Sequence, residues 1–234
     1  SRLFTLPAEL IWKIFNNLSQ VDLSIARLVS KTFLKYSDDP SMWRHIHLKK
    51  SIHLSKEDER QKVLWKLTEL VPILQPHLSL IRSISICGVR DNIVQYLLLN
   101  CPNLEELTID GWTTLSEHAF DLTKKLERRY YPSLPLRKLK LLSVRGNYYT
   151  SLDAAAFGRL MHHCPHLEEL SIVGCQIHLH ADYLLRSITK ETVPQTFTNS
   201  LRYITLATKR TWSTHHIIRL FQICSRLCWL GLVP

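Results

Sequence analysis

Two eleven-residue stretches of this 234-residue chain, CPNLEELTIDG (Cys101 to Gly111) and CPHLEELSIVG (Cys164 to Gly174), carry nearly the same message. Both contain Leu-x-x-Leu-x-Ile-x-Gly. The pattern recurs as Ile81/Ile84/Ile86/Gly88 and Leu139/Leu142/Val144/Gly146, with weaker copies at Leu201/Ile204/Leu206 and Leu227/Leu230/Leu232. Alternating apolar positions predict a short strand with one face inward. Between the copies lie stretches with helical spacing: Ser116–Arg129, Leu152–His163 and Thr214–Cys224. One such strand–helix unit cannot bury its own apolar face. Stacked neighbours can, and they build a continuous core.

A strand plus a helix at this period resembles the leucine-rich repeat family. The resemblance implies an α/β solenoid over residues 81–234, with about six repeats, parallel strands on the concave face and helices on the convex face. The repeats are irregular, and long steps insert RRYYPSLP (Arg128 to Pro135) and KETVPQTFTNS (Lys190 to Ser200). Solenoids need a polar terminal cap, so a chain stopping at Pro234 just after a repeat strand is expected to be truncated at its C-terminus.

Residues between the inward positions should face the concave surface: Ser83/Ser85/Cys87, Glu106/Thr108/Asp110, Leu141/Ser143/Arg145, Glu169/Ser171/Val173, Tyr203/Thr205/Ala207 and Trp229/Gly231/Val233. The central column is then small and uncharged. A protein substrate is expected near Glu106, Asp110, Arg145, Glu169, Tyr203 and Trp229, where small hydroxyl residues would let its backbone approach closely.

The N-terminus poses a different problem. On a helix, LPAELIWKIFNNL (Leu6 to Leu18) spreads Leu10, Ile11, Ile14, Phe15 and Leu18 over an arc of roughly 140°, widened by Trp12 to about 200°. A helix against one core needs an apolar stripe of only ~100°. Two surfaces are being buried. Further helical pieces run from Val21 to Leu28 and from near Ser30, and Asp38-Asp39-Pro40 stops them ahead of Trp43. A unit this small has no cysteine to staple it and gains from burial against a partner.

From Leu6 to Ile46 the sequence resembles an F-box. The matching residues are Leu6, Pro7 and Glu9, then Ile14, Phe15 and Leu18, then Asp22 and Leu23. Val29, Ser30 and Lys31 follow, and Pro40, Ser41 and Trp43 close the pattern; Phe33 stands where many members carry Trp. The resemblance implies binding to the Skp-family adaptor of a cullin–RING ubiquitin ligase. The implied adaptor contacts are Leu6, Pro7, Ile11, Phe15, Leu18, Leu23, Val29 and Trp43, with Ile14 and Phe33 open between partner and internal core. The expected order is an F-box at 1–46, a linker with a first helical element at 47–80, and the repeats. Ser55 to Asp58 reads as a capping box, followed by a helix with Val63, Leu64, Leu67 and Leu70 on one face that ends or kinks at Pro72.

Composition closes off other classes. No apolar run approaches the ~20 residues needed to span a bilayer, and six dispersed cysteines point to reduced thiols in the cytoplasm or nucleus. The net charge of +10 is scattered, as in KKLERR (Lys124 to Arg129), and nucleic acid is not expected along the concave face. His162, His163 and His166 near Cys164 lack a second ligand pair, so no metal site is expected. No phosphate loop or nucleophile signature stands out. No cofactor is expected, and the chain reads as a non-enzymatic substrate receptor that brings a protein to the ligase's cullin and RING subunits for degradation. The rival readings are a non-degradative scaffold and a basic solenoid that binds nucleic acid.

Overall fold

Capping sets where the first helices begin. Helix α1 (Ala8–Asn16) follows Pro7, whose carbonyl accepts from the Leu10 and Ile11 amides; Glu9 in the first turn and Lys13 in the last complement the helix dipole. Helix α2 (Gln20–Ala26) is capped by Ser19, whose Oγ accepts from the Asp22 amide and donates to the Asp22 carboxylate at 2.6 Å. Helix α3 (Lys31–Ser37) is capped by Ser30, which accepts from the Phe33 amide. The computed structural model describes residues 5–49, 64–112, 114–122, 133–142, 151–152, 160, 163–173, 176–177, 181–182, 185–186, 200–207 and 212–233.

Phe15 is the hub of this helical region. Its ring meets Phe33 edge-on at 5.3 Å and lies 5.5 Å from Tyr36. The short helix α4 (Ser41–Arg44) then delivers Trp43 into the core, where its Nε1 donates to the Ser37 carbonyl at 2.7 Å. The chain runs directly into strand β1 (His45–Leu48).

That strand is the edge of a seven-stranded parallel sheet. The others are β2 (Ser83–Val89), β3 (Glu106–Trp112), β5 (Lys138–Leu142), β7 (Glu169–Val173), β9 (Tyr203–Ala207) and β10 (Trp229–Val233), paired in chain order. Short strands β4 (Thr114–Leu115), β6 (Ser151–Leu152) and β8 (Gln176–Ile177) form a second parallel sheet. Helix α5 (Leu67–Leu74) precedes β2, α6 (Asp91–Asn100) links β2 to β3, and α7 (Thr214–Ile223) links β9 to β10. The architecture is a mixed helix and strand fold: an N-terminal helical region joined to a parallel sheet. One apolar core runs through both, from Phe15, Leu23 and Trp43 to Leu206 and Leu220.

Inward residues stack in register across the strands: Ile46, Ile84, Leu107, Leu139, Leu170, Ile204 and Leu230 occupy one layer. The glycines that end the repeat pattern have a backbone reason. Gly88 and Gly111 adopt φ of 80° and 69°, where a Cβ is strained.

Several expectations need correction. The third repeat is expected at Leu139/Leu142/Val144, but Leu139 and Leu141 pair with Leu107 and Ile109, so the inward residues are Leu136, Leu139 and Leu141. In LPLRKLKLLSVRG (Leu134 to Gly146) two frames three residues apart both satisfy the pattern, and the true one lacks a final glycine. The expected helix at Ser116–Arg129 is a single 3-10 turn, Glu117–Phe120, as far as Leu122. Within the expected helix at Leu152–His163, Leu152 lies in β6. The helix after the linker begins at Leu67 and continues through Pro72, since Leu70, Ile73 and Leu74 are all buried; about 1.5–3 kcal/mol for each such side chain outweighs the lost bond. The Ser55–Asp58 cap, Val63, and most of both insertions lie outside the described residues.

His77 sits where helices and sheet meet. Buried in the 3-10 turn Gln75–His77, it stacks on Trp43 with ring centroids 3.8 Å apart, and its Nε2 lies 3.5 Å from Asp38 Oδ1. Desolvation pushes its pKa down from 6.5 to about 4; Asp38 opposes the shift, and Arg27, paired with Asp38 at 3.0 Å, reinforces it. The unfolded chain therefore takes up the proton first. Stability present above pH 6.5 should be lost as pH falls toward 4, about 3 kcal/mol in all. Thermal melts between pH 7 and 4.5 check this: His77→Phe should flatten that part of the profile, and an unchanged slope would contradict the assignment.

Candidate functional site

The helical region sorts its apolar residues into two sets. Ile11, Phe15, Leu23 and Trp43, expected as adaptor contacts, are closed inside the chain, in the core that the helical region shares with the sheet. Leu18 is half-buried against that core, and so is Phe33. Leu6, Pro7 and Val29 are exposed. Ile14, left open by the sequence, is 41% exposed and Leu10 45%. One turn apart on α1, they form a bare stripe, with Trp12 on the far side of the buried Ile11 and Phe15. A second set, Ile25 and Leu28 with Val29, stands at the end of α2 and its turn, with Leu34 on α3; Leu28 is 82% exposed. The width of the apolar arc signalled the α1 stripe, whereas nothing in the spacing marked Leu28.

Isolated apolar residues on a surface are ordinary, but here several large ones stand bare on three consecutive short helices. Little charge lies between them on α1, which is the composition expected of an interface core.

The outer face of the large sheet is organised in rows. The first is His45, Ser83, Glu106, Lys138, Glu169, Tyr203 and Trp229; the second is His47, Ser85, Thr108, Lys140, Ser171, Thr205 and Gly231. The frame shift at β5 thus puts Lys138/Lys140/Leu142 on this face in place of Leu141/Ser143/Arg145. The central column is therefore charged at Lys140, and Arg145 lies outside the described residues.

The lysines neutralise their neighbours. Lys138 Nζ reaches Glu106 Oε1 and Lys140 Nζ reaches Glu169 Oε1, both at 2.7 Å. The Lys138 bond, helped by one from Ser83, lowers the Glu106 pKa, and Glu106 in turn raises that of Lys138. Such half-exposed pairs add little stability. Their effect is to cancel charge at the middle of the face. Asp110 is half-buried at the end of β3, while Tyr203 and Trp229 stand 48% and 59% exposed on β9 and β10.

Cys164 and Cys224 are buried, which pushes their thiols up to about 12 and about 11 and keeps them protonated. His163 is buried and His166 exposed; His162 lies outside the described residues. Among the described residues no group of three His, Cys, Asp or Glu side chains is placed to hold a metal ion, and no helix is long and apolar enough to cross a membrane.

Comparison with known proteins places a match on the first of these surfaces. The F-box-like family model matches residues 3–49, a span that covers α1 to α4 and β1. No curated protein matches the chain. The chain therefore carries an F-box-like domain, and domains of that family generally bind Skp-type adaptors as non-catalytic parts of ubiquitin ligases.

Proposed function

We propose that the chain is the substrate receptor of an SCF-type ubiquitin ligase, docking on a Skp-family adaptor, and through it on cullin and RING subunits, and holding a protein substrate for ubiquitin-dependent degradation. The observation that carries the reading is the bare apolar surface of α1 to α3 inside the segment matched by the F-box-like model. The rest of the chain, from residue 81, is on this reading a leucine-rich-repeat solenoid. Its support is a sheet whose parallel strands pair in chain order, with inward leucines and isoleucines in register. The chain performs no chemistry of its own. It raises the local concentration of a substrate lysine near ubiquitin carried by the conjugating enzyme. The setting is cytoplasmic or nuclear, where such ligases work.

The adaptor contacts proposed are Leu6, Pro7, Leu10, Ile14, Leu28 and Val29, with Leu18 at the edge. The outer sheet face, with Glu106, Asp110, Glu169, Tyr203 and Trp229, is the proposed substrate surface. Reconstitution with adaptor, cullin, RING subunit and charged conjugating enzyme tests the reading. Adaptor-dependent transfer of ubiquitin onto the chain's own lysines is expected. Incorporation without any transfer is the outcome for a non-degradative scaffold, and failure to enter the complex contradicts the proposal.

A further inference from the structure

The rim of the large sheet, one residue before the first row, reads Arg44, Arg82, Glu105, Arg137, Glu168, Arg202 and Cys228, each amide bonded to the carbonyl of the residue before it in that row. Beyond Arg44, charges alternate along it and pair off: Arg82 with Glu105 at 2.9 Å and Arg137 with Glu168 at 3.2 Å. Besides Arg44 at the opposite end, Arg202 is left over. It is exposed and no ion pair engages it among the described residues; the same holds for Arg226, in the turn leading into β10. The first row has the same arrangement. Its carboxylates at Glu106 and Glu169 are taken by lysines, and the row then ends in the two exposed aromatics.

Gly231 shapes that end of the face. A Cβ built there would stand 3.2 Å from Trp229 Nε1 and 3.3 Å from Thr205 Cγ2. The indole nitrogen therefore reaches over Gly231, and the exposed Trp229 side chain stands beside Tyr203, its partner on the next strand. At the opposite end of the face, beside Arg44, the rows begin with His45 and His47 in place of a tyrosine–tryptophan pair.

We propose that this corner, Tyr203 and Trp229 with Arg202 and Arg226, is the docking site for an acidic peptide segment. An apolar side chain or proline ring of the segment rests on the indole, and carboxylates next to it meet the two arginines. The proposal rests on the reading of the sheet face as a substrate surface and names the chemistry of what binds there. Charge complementarity selects an anionic partner, since the neutralised middle of the face attracts neither sign and the leftover charge is positive. Arginine gives a carboxylate two parallel donors, and an exposed indole face takes a flat apolar group with little entropy cost. A bound segment would run across strand ends already rigid in the sheet, so the site needs no rearrangement to form.

The test is fluorescence anisotropy with the full chain bound to its adaptor, using a fluorescein-labelled Glu-Pro repeat peptide of about a dozen residues and Lys-Pro and Ser-Pro counterparts. The Glu-Pro peptide should bind most tightly and weaken as salt rises. Arg202→Glu and Trp229→Ala should each weaken it about tenfold, the loss expected for one charge-assisted or stacking contact, while Trp229→Phe keeps most of the affinity. Arg219→Glu, the same charge reversal at an exposed position of α7, should leave it within about twofold. All three residues changed, Arg202, Trp229 and Arg219, are at the surface, so circular dichroism and melting temperature should be unaltered. Four results overturn the proposal: no binding up to millimolar peptide, equal or tighter binding of the Lys-Pro or Ser-Pro peptide, indifference to Arg202→Glu and Trp229→Ala, or tighter binding of single-stranded oligothymidine with the same variant sensitivity. Retention of the adaptor in the same preparations separates any of these from failure of the ligase reading, which loses the adaptor instead.

Discussion

Replacing Trp43 by Ala should destabilise the whole chain by about 3–5 kcal/mol, a large part of the 5–15 kcal/mol that holds an ordinary domain together. Three losses coincide. The largest is the cavity, because Trp43 is fully buried and among the largest side chains in the core. Its Nε1 bond leaves with it, so the Ser37 carbonyl loses its buried donor. The His77 ring loses the surface it stacks on. Since His77 belongs to the turn ahead of β2 and Trp43 to the helix ahead of β1, the damage falls on the joint between helices and sheet. A melting temperature lower by order 10 °C is expected, with both parts melting together. Trp229→Ala is the control: an exposed tryptophan at the far edge should change the melt hardly at all. A Trp43→Ala protein as stable as wild type would mean that the two regions do not share a core.

The second large effect separates binding from folding. Leu10→Ala, Ile14→Ala and Leu28→Ala together should weaken adaptor binding by roughly two to four orders of magnitude, since each buried apolar side chain contributes about 1.5–3 kcal/mol at most and interface burial is incomplete. The melting temperature should stay within a degree or two, because all three side chains are exposed in the free chain. Phe15→Ala gives the opposite pattern: its ring packs on Phe33 and Tyr36, so binding fails only as far as the fold does. Titration calorimetry against a purified Skp-family adaptor measures the first effect and thermal melts the second. Unchanged affinity in the triple variant would move the adaptor surface elsewhere.

These contrasts show what a motif can and cannot tell. The positions of Leu6, Phe15, Leu23 and Trp43 in the N-terminal pattern were plain in the sequence, but a pattern does not say which large apolar residue points inward. That was decided by packing: Ile11 and Phe15, one turn apart, are buried, Phe15 against Phe33 and Tyr36 of α3, leaving Leu10 and Ile14 outside. Helices this short have no wide polar face to give the answer in advance.

The strands were legible for a physical reason. Inward alternation in a parallel sheet must be kept in every strand, so Ile84, Leu107, Leu170 and Ile204 were identified from spacing alone and fall in one register. Where leucine saturates the sequence, at Leu134 to Leu142, spacing is ambiguous and the final glycine misled. One more copy went unread. Trp43/Ile46/Leu48 has the same spacing as Ile81/Ile84/Ile86, and all six are buried. It passed as the end of the helical motif, yet it makes β1 and ties that motif into the sheet. The ion pairs across β3, β5 and β7 depended on the frame of β5, so they could not be foreseen from a misplaced one.

Hydrogen exchange of the chain, free and with a saturating Skp-family adaptor, tests the central claim most directly, because it reads every segment in one experiment. The account expects new protection in α1, in the turn from Arg27 to Val29 and at the start of α3, with β3 to β10 unchanged. Protection spread over the sheet with none in α1 would place the adaptor on the face assigned to substrate, and absence of any change would remove the adaptor from the account.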